Sequence, residues 1–136
     1  MNFIDTNILV YAYDKDEKIK NPTARKILLD CWEKKSGIIS TQVLQEFYVT
    51  ITAKLSKKLS INEARELIKD FISWPIEQVT PNDIIDATAL QEQYKYSFWD
   101  SLIIILAQKS GAEILYSEDL QDGQKIGNLT IKNPFK

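Results

Sequence analysis

Residues 97–124 read SFWDSLIIILAQKSGAEILYSEDLQDGQ, and the order of features in that stretch decides the fold class. Ser97-Phe98-Trp99-Asp100 opens a helix that is apolar on nearly every side, so the helix must lie at the centre of the molecule. Gly111 stops it, and Glu113 to Ser117 follows as a strand. A central helix that feeds straight into a buried strand is one unit of an alternating α/β chain, and the same alternation continues in both directions. Upstream, Thr80-Pro81-Asn82-Asp83 caps a helix, preceded by a strand from Ile76 to Val79. Pro75 separates that strand from another helix, which starts at the capping box Ser60-Ile61-Asn62-Glu63 and runs to about Ser73. A helix from Thr41 to Leu55 carries Val43, Leu44, Phe47, Ile51 and Leu55 as its apolar stripe. Ile38-Ile39 is a brief buried strand, set off by Ser36-Gly37 from a helix that Asn21 caps, Pro22 starts and Lys35 ends. The chain begins with a strand from Asn2 to Asp5 and a short helix with Ile8, Leu9, Tyr11 and Ala12 on one face; Asp14 to Lys20 is a loop. Downstream, Leu129 to Ile131 is a last short strand. This order predicts an α/β fold, a short parallel sheet flanked by helices on both faces, in one domain spanning residues 1–136.

Composition narrows the chemistry. The chain of 136 residues is 44% hydrophobic and 26% charged, as expected of a globular domain with a real core. Its formal net charge of −2 gives no general attraction for nucleic acid, so phosphate binding would need a local basic patch or bound cations. There is no histidine, which removes Ser-His-Asp and Cys-His catalysis and histidine-ligated zinc. Cys31 stands alone between Leu29 and Trp32 and reads as a buried small hydrophobe. MNFIDTN lacks the basic and apolar regions of a signal peptide, and Leu102 to Ala107 is too short to span a bilayer. A cytoplasmic location without membrane association is the expectation.

Against that background four acids stand out: Asp5, Glu46, Asp100 and Asp119. Asp5 and Asp119 each follow a strand, at the carboxyl edge where parallel α/β sheets bind ligands. Asp100 lies in the first turn of its helix and Glu46 in the second turn of another, so four segments converge on one rim. Each acid has an ordinary alternative. Asp5 with Thr6 can cap the first helix, Asp100 can be the acidic partner of a capping box from Ser97, Glu46 can be a solvated charge, and Asp119 can be a turn residue. Glu46 is nonetheless awkward among Val43, Leu44, Phe47 and Val49. Clustered carboxylates repel one another unless cations hold them, which points to hard-metal, oxygen-ligand chemistry. Such sites activate water and stabilise the leaving oxygen in phosphodiester cleavage.

With IDTNILVYAYD at the start, STQVLQEFY in the middle and the stretch from Ser97 to Gln124, closing with Ile131 to Phe135, the chain resembles the PIN-domain ribonucleases, and within them the VapC-type toxins of toxin–antitoxin pairs. The resemblance implies a metal-dependent endoribonuclease, with Asp5, Glu46, Asp100 and Asp119 holding Mg²⁺ or Mn²⁺. It places Ser117 at the hydroxyl position beside the last acid and Asn7 as the polar residue ordering the site. It also implies an RNA substrate, a cognate antitoxin lying across the rim, and a homodimer. Asp122 offers an additional or substitute ligand. Asp119, two residues after Ser117 at the strand's end, is the expected fourth ligand, and Asp122, followed by Gly123, is expected to serve a turn or face water. Beyond the quartet, Lys54, Lys57, Lys58 and Arg65 form the densest basic stretch, either a solvated surface or a guide for RNA. Phe47, Tyr48, Phe71, Trp74 and Trp99 are either core or exposed aromatics for a partner or for base stacking.

The rival readings are weaker. A haloacid-dehalogenase-like phosphatase needs an acid two positions after Asp5, where this chain has Asn7. A receiver domain needs an acidic pair that is missing. A non-catalytic PIN-like module that binds RNA or protein is the alternative from a different functional class, and a nuclease assay with and without EDTA separates the two.

Overall fold

The computed structural model describes all residues, 1–136. Its centre is set by β1 (Asn2–Ile4). Phe3 and Ile4 are both fully buried; because successive strand residues point to opposite faces, both faces of the sheet must be covered. Around β1 the elements follow in the order α1 (Thr6–Tyr13), α2 (Lys20–Lys34), β2 (Gly37–Ser40), α3 (Thr41–Ala53), α4 (Ile61–Phe71), β3 (Ile76–Glu77), α5 (Pro81–Tyr94), α6 (Phe98–Lys109), β4 (Ile114–Tyr116), β5 (Lys125–Ile126) and β6 (Leu129–Lys132). The helices pack in pairs, α1 with α2 and α3, α3 with α4, and α5 with α6. No helix is long and apolar enough to cross a membrane.

The strands lie in the order β3-β2-β1-β4-β6-β5. The chain builds outward from β1 to one side, then returns to lay β4 against its other side, in parallel, with Phe3 opposite Leu115 and Ile4 opposite Tyr116. That reversal between β1 and β4 opens a crevice beyond their carboxyl ends, where Asp5 and Ser117 follow directly. The expected α/β class and helix-covered parallel sheet are what the molecule has, with one addition. The edge strand β5 pairs antiparallel to β6, through a tight connection in which Gly127 has φ 61°. A two-residue strand leaves no periodicity to read in the sequence.

Local chemistry explains the other differences. The second helix was expected to start at Pro22 behind an Asn21 cap, but α2 begins at Lys20 with no side-chain cap. Asn21 instead donates its amide to the carbonyls of Tyr11 (2.7 Å) and Ala12 (3.2 Å), closing the carbonyl end of α1. The capping boxes of α4 and α5 are both formed, Ser60 with Glu63 and Thr80 with Asp83.

Gly37 shows how tightly the far side of the sheet is packed. A methyl group there would overlap the indole of Trp74, itself held edge-to-face against Trp32 and Phe71. Gly37→Ala should therefore cost about 1–3 kcal/mol through overpacking, read as a lower urea midpoint at unchanged slope. A midpoint equal to the wild type would mean that the indole has room to retreat.

Candidate acidic active site

Asp5 is the N-cap of α1, its Oδ1 accepting from the Thr6 N–H at 2.7 Å. Its Oδ2 accepts from the Ser117 hydroxyl at 2.7 Å, across the β1–β4 crevice. The same hydroxyl accepts from the Asp119 N–H at 3.2 Å, and the Asn7 amide donates to Asp119 Oδ2 at 3.0 Å. Ser117 is fully buried, so it acts as a fixed peg tying the two acidic segments together. Both expected supporting residues, Asn7 and Ser117, are thus bonded to the acids.

Glu46 enters from α3. Its Oε2 accepts from the Thr6 hydroxyl at 3.0 Å and its Oε1 from the Gln42 amide at 3.1 Å. The sequence reading names Thr6 only as a capping partner of Asp5 and does not name Gln42, although Gln42 stands four residues before Glu46, a spacing that places both on one helix face. Asp100 enters from the first turn of α6, its N–H donating to the Ser97 hydroxyl at 3.1 Å. Here the ordinary alternative fails. The reciprocal bond to the N-cap backbone that completes the boxes of α4 and α5 is not formed in α6; the Asp100 carboxylate, its pKa raised by burial, stays beside the Ser97 hydroxyl, which lowers it in part.

Asp5, Asn7, Glu46, Asp100 and Asp119 all line one cleft of about 340 Å³. A larger recess of about 770 Å³ runs along α2 beside Asn2 and Tyr116, but its two acids, Asp30 and Glu33, come from one helix and share the lining with Arg25 and Lys26, so size alone does not mark the site. Asp122 lies outside the cleft lining and accepts from the Asn133 N–H at 2.8 Å. None of Lys54, Lys57, Lys58 and Arg65 lines the cleft; Lys57 pairs with Asp16 at 3.7 Å on the surface. Of the aromatics, Phe47, Phe71 and Trp74 are core, whereas Trp99 is 61% exposed and stands at the cleft beside Asp100.

The electrostatics are those of crowded acids. Burial, opposed by the Ser117 and Thr6 bonds and reinforced by Asp119 and Glu46, raises the Asp5 carboxyl from 3.8 to about 6. Asp100 is also raised, first by burial and further by Asp119 and Glu46. The four carboxylates therefore sense one another. They do not form a closed chelate: no three acidic side chains are drawn around a single point. The donor set is all oxygen, and the Asn7 Oδ1 and Gln42 Oε1 atoms at the cleft are buried without a partner. Magnesium keeps several of its own waters and takes few direct carboxylates. A loose oxygen-lined cleft with unmatched acceptors beside its acids fits such a hydrated cation.

The comparisons with known proteins bear on the fold and the family. Among solved structures, a toxin–antitoxin complex from Klebsiella pneumoniae superposes with a TM-score of 0.72 at 18% identity, over 98% of this chain and 98% of that one. The sarcin–ricin-loop-cleaving toxin VapC20 of Mycobacterium tuberculosis gives 0.64 at 18% identity, over 85% and 87%. VapBC2 of Rickettsia felis, bound to a DNA fragment from its promoter, gives 0.66 at 21% identity, over 97% of both. At these identities the likeness is one of fold. No curated protein matches significantly. The sequence model of the PIN domain matches residues 3–122, from the first strand through the last of the cleft acids, and the chain belongs to the PIN-domain family.

Proposed function

We propose that this chain is a metal-dependent endoribonuclease, the VapC-type toxin of a toxin–antitoxin pair. One observation carries the reading: four carboxylates from four separate segments line a single cleft, although their crowding and burial lift Asp5 to about 6. A fold gains nothing in stability from such a cluster. The open capping box at Ser97 points the same way, since Asp100 is withheld from the bond its position would otherwise serve.

Magnesium or manganese, when bound, supplies activation of the attacking water and neutralisation of phosphate charge. The chain's own residues do the rest. Asp5 and Asp119 hold fixed oxygens through Ser117, Asn7 and the Thr6 N–H. Glu46 is oriented by Thr6 and Gln42. Asp100 closes the cleft on the side of α6.

The reading extends to partners and setting: a homodimer in the cytoplasm, checked by an antitoxin segment lying across the acidic rim. Its support is the PIN family together with the fold shared with toxins solved as toxin–antitoxin complexes.

The test is cleavage of a structured RNA in Mg²⁺ or Mn²⁺ with mass spectrometry of the ends. In-line attack by water leaves a 5′-phosphate and a 3′-hydroxyl. Attack by the ribose 2′-hydroxyl leaves a 2′,3′-cyclic phosphate and depends on an acid–base pair, for which this chain has no histidine. The expected result is 5′-phosphate ends and no cleavage in excess EDTA. Cyclic phosphate ends, or full activity in EDTA, would overturn the mechanism; no cleavage of any RNA would favour a binding module.

A further inference from the structure

Helix α6 is deeply buried along its middle, with Leu102, Ile103, Ile104, Leu106 and Ala107 all in the core. One large apolar residue of that helix is left out: Trp99 is 61% exposed. Its ring is not loose, since it packs edge-to-face against Phe98 with centroids 5.2 Å apart at 74°. It lines the acidic cleft immediately before Asp100, with Ile103 one turn further along the helix and Val10 and Tyr11 from α1 on the same lining. The cleft lining therefore combines carboxylates with aromatic and aliphatic side chains. No lysine or arginine lines it, and the whole chain carries a formal net charge of −2.

We propose that Trp99 is the stacking platform for an unpaired base of the RNA next to the scissile phosphate, and that it supplies affinity that a cleft lined by no lysine or arginine cannot draw from the flanking phosphates. The choice of RNA rests on the nuclease reading above. A nucleotide has the same two-part chemistry as the cleft, an anionic phosphate joined to a flat apolar ring. A phosphate held near Asp100 puts a neighbouring base within reach of the adjacent residue. Stacking on an indole is tolerant of base identity and adds no ionic contact, so its contribution is independent of salt.

The probe is a short random-sequence 2′-O-methyl phosphorothioate RNA, which resists cleavage, titrated in Mg²⁺ against the wild type and three variants. Binding should quench the intrinsic tryptophan fluorescence of the wild type. Trp99→Phe should abolish most of that quench while retaining affinity within a few-fold, because a phenyl ring still stacks. Trp99→Leu and Trp99→Ala should weaken binding about tenfold with an unchanged slope of affinity against salt. In cleavage of ordinary RNA the loss should fall mainly on KM. Melting temperatures equal to the wild type would show that the exposed position leaves the fold intact.

Wild-type affinity in Trp99→Leu overturns the proposal, as does failure of the wild type to bind the probe. A loss in Trp99→Leu confined to inhibition by a partner protein also overturns it and assigns the indole to a protein interface. The two readings fail separately. Wild-type cleavage with an indifferent Trp99 sinks the stacking platform alone, whereas Trp99-dependent binding without any cleavage sinks the nuclease alone.

Discussion

Asp5→Asn should lose at least about a hundredfold of RNA cleavage and yet melt higher than the wild type in EDTA at neutral pH. Both effects come from one carboxylate. Its pKa is raised in the folded protein, from 3.8 to about 6, with burial as the first cause. Below the unfolded value the group is protonated in both states and contributes nothing. As pH rises from about 4 to about 6 the unfolded state ionises first, so stability falls, and above about 6 the full penalty remains. That penalty is on the order of 1–3 kcal/mol once partial solvent access is allowed for. Asparagine removes it while remaining a good N-cap for the Thr6 N–H. The gain in Tm should therefore appear at pH 7.5 and vanish near pH 4. Mg²⁺ should raise the Tm of the wild type, because a ligand of the folded state stabilises it, and leave the variant nearly unmoved. Asp100→Asn should behave with the same sign, since its carboxyl is also raised. Retained cleavage in Asp5→Asn, or a lower Tm at neutral pH, would remove Asp5 from the proposed machinery.

What the sequence disclosed about this site follows from where its residues sit. Asp5 and Asp119 follow strands, and Glu46 and Asp100 sit in early helical turns, so the alternation of elements was enough to bring them to one rim. The capping question at Ser97 was not legible. Ser60-x-x-Glu63, Thr80-x-x-Asp83 and Ser97-x-x-Asp100 are the same pattern, and only packing decides that the first two close and the third stays open. Asn21 is similar. Its neighbour Pro22 suggested a helix start, but the carbonyls of Tyr11 and Ala12 that claim its amide come from another helix. The aromatics could not be sorted either, because Phe47, Phe71, Trp74 and Trp99 all lie in or beside helices. Burial of the first three and exposure of the fourth is a tertiary fact. Strand β5 escaped notice because two residues have no period, and its pairing with β6 depends on the turn at Gly127.

Asp119→Asn should cut Mn²⁺ affinity and cleavage by an order of magnitude or more, whereas Asp122→Asn should leave both close to wild type. The sequence favours Asp119 over Asp122, three residues apart in SEDLQDG, because Asp119 lies nearer the strand's end and Asp122 precedes a glycine. The two carboxylates have different employment in the fold. Asp119 lies on the cleft, with one oxygen already oriented by the Asn7 amide at 3.0 Å and its own N–H held by Ser117 at 3.2 Å. Through Ser117 it shares a hydroxyl with Asp5, so a cation near Asp5 is also near Asp119. Asp122 accepts from the Asn133 N–H at 2.8 Å, with Gly123 following at φ +83°, and this bond ties the turn to the segment after β6. Its role there is structural. Asp122→Ala should lose about 0.5–1.5 kcal/mol of stability, the net worth of a bond whose exposed N–H turns to water instead, with no change in metal binding. Calorimetric titration of Mn²⁺ into the variants, paired with urea melts, separates the roles. A greater loss of metal affinity from Asp122→Asn than from Asp119→Asn would transfer the ligand role to Asp122 and require the segment from Ser117 to Gly123 to rearrange when the cation binds.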